Sequence, residues 1–207
     1  MKDVKNANKD ALKGVKTVIF DLDGTIYDKS GLAKRMVSRL WWCLPFLAAE
    51  RLARRNMHYV QFATEEDFYR AFFKTMARGH FWGRLTAATW YVDVYLPTMV
   101  RLIHRYHKPR PKVMALIEQC KARGLQMAIY SDYGAVAEKL QALGIDPSQF
   151  DLLVSAPTFG ALKPAEQCAR RVLEILNANP KTTLFVGDRE EKDGASARAV
   201  GAKFLKV

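Results

Sequence analysis

Apolar positions along the chain follow two rhythms. From residue 111 onward, short apolar runs alternate with stretches of helical period. In PKVMALIEQCKARG, Val113, Leu116, Ile117 and Cys120 share one helical face, with Pro111 suited to the first turn and Gly124 to the C-cap. LQMAIYSD then reads as a strand. GAVAEKLQALG repeats the helical scheme with Val136, Leu140 and Leu143 inward and Gly144 at its end, and DLLVS is another short strand. KPAEQCARRVLEILNANP predicts a helix with Cys168, Val172, Ile175 and Leu176 inward; TTLFVGD and AKFLKV add two strands on either side of the short helix GASARAVG. With KTVIFD near the front, the chain offers five strands joined mainly by helices. That order implies a parallel sheet covered on both faces.

Between residues 28 and 110 the strand rhythm stops. GLAKRMVSRLWWCL reads as a helix, AAERLARRNMHYVQF as another after Pro45, and EEDFYRAFFKTMARG as a third opening after Thr64. A longer helical stretch from Arg84 to His107 should kink at Pro97, and KPRP at 108–111 is a stiff exit. The organisation expected is therefore an α/β core from residues 1–27 and 111–207, interrupted by an all-helical insertion at 28–110.

A chain of 207 residues, 49% hydrophobic and 26% charged, can bury a sizeable core. Cys43, Cys120 and Cys168 are odd in number and widely spaced, which argues against a disulfide framework or a zinc knot and for small buried apolar residues. The first fourteen residues, MKDVKNANKDALKG, have no apolar stretch of a secretory leader, so a cytoplasmic protein is expected. WWCLPFLAA is too short to span a bilayer, and Arg84 and Asp93 interrupt FWGRLTAATWYVDVYLPTMV, so no transmembrane segment is read. The net charge of +12 is uneven: residues 28–110 hold 15 Lys+Arg against 6 Asp+Glu.

Ligands of an open parallel sheet bind beyond the carboxyl ends of its strands. There the sequence puts Asp21 and Asp23 after the first strand, Ser131 and Asp132 after the second, Lys163 after the third, and Asp188 and Asp193 after the fourth. Several carboxylates around one point are tolerable when a hard cation sits among them, and oxygen donors suit magnesium. A carboxylate can also attack phosphorus, while a hydroxyl and a lysine hold the transferring oxygens.

DLDGT, Ser131 closing its strand, Lys163, and GDREEKD in Gly-Asp-x4-Asp form together resemble the four motifs of the haloacid dehalogenase superfamily. The resemblance implies a Rossmann-like core with a helical C1 cap, here residues 28–110. It implies Asp21 as nucleophile, Asp23 as general acid/base, and Ser131 and Lys163 as phosphoryl-binding catalytic groups. Magnesium would be held by Asp21, the Asp23 carbonyl and Asp188, with Gly24, Thr25, Asp132 and Asp193 supporting the phosphate site. An acid at position 23 favours phosphate esters over carbon–halogen bonds, because an alkoxide leaving group needs a proton and a halide does not.

The function expected is a magnesium-dependent phosphate monoester hydrolase working through an aspartyl-phosphate. The alternatives are a phosphomutase or phosphotransferase of the same superfamily, and a non-catalytic binding protein. The expected partner is a phosphorylated small molecule, polyanionic or lipid-linked if the basic insertion serves function, in which case Arg35, Arg39, Arg51, Arg54 and Arg55 should face the cleft or an anionic membrane surface. The tryptophans beside them would then lie at an apolar–polar boundary. No nucleic acid partner is expected, and oligomeric state is left open.

Overall fold

The computed structural model describes residues 11–207, so most of the polar N-terminal stretch read above lies outside the described residues. Five parallel strands form one sheet in the order β3-β2-β1-β4-β5: β1 Thr17–Phe20, β2 Gln126–Ser131, β3 Leu152–Ser155, β4 Thr183–Gly187 and β5 Lys203–Lys206. Thr17 of β1 pairs with Gln126 on one side and Thr183 on the other, so the motif-bearing ends of the three central strands finish level. β1 and β4 are buried along their whole length, as strands covered on both faces must be.

Successive residues of a strand point to opposite faces. Val18, Phe20, Met127, Ile129, Leu184 and Val186 pack with Val113, Leu116, Ile117 and Cys120 of α6 (Pro111–Ala122) and Leu140 of α7 (Val136–Ala142). Ile19, Ala128, Tyr130 and Phe185 pack on the other face against Cys168, Ala169 and Val172 of α8 (Glu166–Ile175) and Ala197 of α9 (Ala195–Ala199). Ile175, expected inward, is 54% exposed. At 100° per residue the apolar arc of α8 centres on Ala169, Val172 and Leu176, which leaves Ile175 on its rim. The three cysteines are buried and unpaired.

Between β1 and α6 run α1 (Leu32–Arg39), α2 (Leu44–Asn56), α3 (Glu65–Ala77), α4 (Arg84–Trp90) and α5 (Leu96–Tyr106). Their buried residues, among them Met36, Phe68, Phe72, Trp90 and Met99, are continuous with the first face of the sheet. Thr64 caps α3, its hydroxyl accepting the Asp67 N–H at 3.1 Å. The second helix stops at Asn56 and does not run on through HYVQF, contrary to its period. A tertiary bond overrides the local preference: the Phe62 N–H donates to the Gly160 carbonyl at 2.8 Å and ties this stretch to the loop after β3.

Pro97 does not end the helix. It sits in the first turn of α5, after a wider turn over Tyr91–Tyr95 in which the Leu96 N–H reaches back five residues to Tyr91. That shift in register accommodates the proline's missing N–H. The aromatic residues divide: Trp82, Trp90 and Tyr91 are buried, whereas Trp41, Trp42 and Phe81 are exposed. Among the described residues no helix is long and apolar enough to cross a membrane.

Candidate active site

Asp21 follows β1 directly, and its N–H still donates to the Val186 carbonyl of β4 at 2.9 Å, so the sheet itself fixes its backbone. Its side chain is largely buried. Thr25 Oγ1 donates to Asp21 Oδ2 at 2.7 Å and Lys163 Nζ donates to Oδ1 at 2.7 Å. Lys163 is buried, stands just after β3 and its 3₁₀ turn, and also bonds Asp193 Oδ1 at 2.8 Å. Burial pushes the Asp21 carboxyl up to about 6; the Lys163 charge opposes this and the Asp193 charge adds to it. Burial alone would lower the Lys163 pKa, but Asp21 and Asp193 outweigh it and hold the ammonium well above its ordinary range.

Asp23 is held quite differently. Tyr27 Oη donates to its Oδ1 at 2.5 Å, Ser131 Oγ to its Oδ2 at 3.0 Å, and Lys139 Nζ reaches both oxygens at 3.0 and 2.8 Å. Burial works to raise this carboxyl, yet Lys139, Tyr27 and Ser131 outweigh it and keep Asp23 below its usual value. Its side chain is therefore an ionised acceptor in this arrangement. Asp132 takes a third lysine: Lys192 Nζ donates to Oδ2 at 2.6 Å, and the Lys163 N–H donates to Oδ1 at 2.8 Å. The Lys192 and Lys163 charges overcome burial and hold Asp132 below its usual value.

The fourth-strand motif completes the cluster. One carboxylate oxygen each of Asp21, Asp188 and Asp193 lie within 4.8 Å of one another. Asp188 is also bridged to the Asp23 backbone by Lys29, whose Nζ is 2.7 Å from Asp188 Oδ2 and 2.8 Å from the Asp23 carbonyl. Hard oxygens already gathered around the ammonium groups of Lys29 and Lys163 can hold a small divalent cation, so the donor set fits magnesium. Two glycines make the approach possible. A Cβ on Gly24, at φ +110°, would collide with Lys29 Nζ and Asp188 Oδ2, and one on Gly187 would collide with Asp193.

All nine residues singled out in the sequence thus lie at one edge of the sheet. Lys29, Tyr27, Lys139 and Lys192 were not foreseen. For Lys139 a signal existed: it lies three residues after Val136 and one before Leu140, on the apolar side of its helix, where a lysine needs a buried partner.

The acids open into a cleft of ≈ 520 Å³ whose far wall is helical: Leu32, Met36, Leu47, Arg51, Arg54, Tyr95 and Met99. Of the five arginines expected to meet an anion, Arg51 and Arg54 line it. Arg54 is already engaged. It donates to Glu50 Oε1 at 2.9 Å, the Asp132 carbonyl at 3.1 Å and Tyr91 Oη at 3.2 Å, and lies 3.8 Å from the Tyr133 ring centre. It braces the helical segment against the loop after β2.

A family model described as haloacid dehalogenase-like hydrolase matches residues 15–201. Among curated proteins, the chain is 28% identical over 187 residues to a phosphoglycolate phosphatase of Aquifex aeolicus, covering 89% of this chain and 81% of that protein. It is 29% identical over 102 residues to a glyceraldehyde 3-phosphate phosphatase of Methanocaldococcus jannaschii, covering 48% and 44%. Among solved structures, the HAD-hydrolase YfnB of Bacillus subtilis bound to magnesium superposes with a TM-score of 0.64 at 15% identity, over 93% of this chain and 88% of that one. At that identity the likeness is one of fold.

Proposed function

Because the chain belongs to the haloacid dehalogenase-like hydrolases, we propose that it is a magnesium-dependent phosphatase that cleaves a phosphate monoester through an aspartyl-phosphate on Asp21. One observation carries this reading: Asp21 is anchored by the sheet, hydrogen-bonded by Thr25 and Lys163, and set beside Asp188 and Asp193 at the mouth of a cleft.

In this reading Asp23, protonated from solvent once it has turned from Lys139, delivers that proton to the departing alkoxide as an Asp21 oxygen attacks phosphorus and the bond to the ester oxygen breaks. Asp23 then takes a proton from water as the water oxygen attacks phosphorus, breaking the bond to Asp21 and releasing inorganic phosphate. Lys163 and Ser131 stabilise the transferring oxygens. For both proton transfers Asp23 has to turn from Lys139, Tyr27 and Ser131, which occupy its oxygens here. Magnesium, held by Asp21, the Asp23 carbonyl and Asp188, would supply charge neutralisation of the phosphoryl group. Asp193 and Asp132 keep Lys163 charged and in place.

The helical residues 28–110 act in this reading as the cap domain over the core of residues 1–27 and 111–207, setting which substrates enter. The relatives named for phosphoglycolate and glyceraldehyde 3-phosphate support a small phosphorylated metabolite. Arg51 lines the cleft and pairs with no carboxylate among the described residues, which favours a substrate with a second anionic group. Three buried, unpaired cysteines suit the reducing cytoplasm, where we place the protein.

The test is phosphate release from a panel of phosphorylated acids, sugars and nucleotides, with magnesium and with chelator. Asp21→Asn should abolish turnover, and chelator should do the same to the unaltered protein. Undiminished release by Asp21→Asn would overturn the assignment, and substrate isomerisation with little free phosphate would favour transfer to a second acceptor.

A further inference from the structure

Two of the groups assigned to magnesium already share a cation, and that cation belongs to the chain. Lys29 Nζ lies 2.8 Å from the Asp23 carbonyl and 2.7 Å from Asp188 Oδ2, two of the three groups in the proposed ligand set. The lysine is brought there by a fastened turn. Asp28 accepts from both the N–H and the hydroxyl of Ser30 at 2.8 Å, and the Asp28 carbonyl lies 2.7 Å from His107 Nδ1. Its backbone is thereby held beside the site.

Lys29 differs from the other lysines of the cluster in its freedom. The side chains of Lys139, Lys163 and Lys192 are 0%, 3% and 16% exposed and are committed to Asp23, Asp21 with Asp193, and Asp132. Lys29 is 31% exposed and lines the open cleft, so its flexible stem can withdraw into solvent without uncovering a buried charge. An ammonium 2.8 Å from the carbonyl and 2.7 Å from the carboxylate oxygen occupies the space between them that a divalent cation bound to both would take, and the two charges repel.

We propose that Lys29 is a tethered competitor for the magnesium site: its ammonium neutralises the ligand oxygens in the metal-free protein and must leave for a divalent cation to bind. This rests on the magnesium reading above. Lys29 offsets the charge of Asp188, as Lys163 does for Asp21 and Asp193, and so lowers the repulsion among the three acids. The same contact weakens metal binding, since the apparent dissociation constant rises in inverse proportion to the fraction of molecules whose site is free. If Lys29 is seated in nine molecules of ten, the loss is about tenfold.

The experiment titrates Mn2+ into full-length protein, reading free Mn2+ by electron paramagnetic resonance, and repeats the titration with Mg2+ by calorimetry. Lys29→Met and Lys29→Gln should each bind about tenfold more tightly than the unaltered protein, and in chelator both should melt at a lower temperature while gaining more from added metal. Arg51→Gln, which removes the same charge from the cleft wall without touching the carboxylates, should shift affinity less than twofold. An equal shift from Arg51→Gln would reduce the effect to the general field of the cleft and overturn the proposal. Unchanged or weaker binding by both Lys29 variants would overturn it while leaving the magnesium reading intact. Absence of metal binding in every protein would overturn both.

Discussion

At the carboxyl edge of the sheet, Asp21, Asp23, Asp132, Asp188 and Asp193 lie against Lys29, Lys139, Lys163 and Lys192. In the helical segment, among the described residues, Glu50 and Arg54 form the one ion pair shielded from solvent; the pairs of Arg70 are exposed. The helical core is aromatic instead, with Phe68, Phe72, Phe73, Tyr91 and Tyr95 in mutual contact. The first region is a lattice of charges contributed by chain segments 30 to 159 residues apart. The second is held by apolar area and carries its surplus arginines mainly on the outside. A charge lattice fails when one member leaves, because the partner stays buried and uncompensated. An aromatic core fails by cavity.

Among the lysines of the lattice the largest effect should come from Lys163→Met. It leaves Asp21 and Asp193 facing each other without their shared cation, and phosphate turnover should fall by on the order of 10³-fold, measured at saturating substrate with circular dichroism as the check on folding. Loss of less than tenfold would break the contrast at its strongest point.

Phe72→Ala tests the other region. Phe72 is fully buried against Phe68, Phe73 and Tyr91, so the variant should lose about 3–5 kcal/mol in urea unfolding. Arg54→Met examines the brace between the two regions: stranding Glu50, which is 5% exposed, should cost about 3 kcal/mol. Adding Glu50→Gln should restore more than half of that, since the stranded charge is then gone.

The smallest effect expected is that of Asp132→Asn on pH dependence. Lys192 and Lys163 hold the Asp132 carboxyl below its usual value against the pull of burial. An acid depressed by folding contributes stability above its unfolded pKa of about 3.9 and loses it as pH falls through the lower folded value. Chemical denaturation between neutral pH and about pH 3 should therefore show a shallower acid loss in Asp132→Asn. Identical slopes would mean that Asp132 adds nothing to the lattice.

Most of the sheet, and the identity of the site, could be read along the chain. Strand and helix periods depend on residues within about four positions, and Asp21, Asp23, Ser131, Lys163, Asp188 and Asp193 stand at strand ends that those periods locate. Where local pattern was misleading, a distant bond had intervened, as when Phe62 joined Gly160 and ended the helical reading of HYVQF. The lysines divide on the same principle. Lys163 was legible because it sits in a motif, and Lys139 was at least marked by the apolar face of its helix. Nothing near Lys29 distinguishes it from any solvated lysine, for its partners Asp23 and Asp188 meet only when β1 and β4 lie side by side. A carboxylate's place in the chain is set by its neighbours in sequence. Which cation neutralises it is decided by distances of 3 Å or less between residues as far as 159 apart, and these exist only in the folded chain.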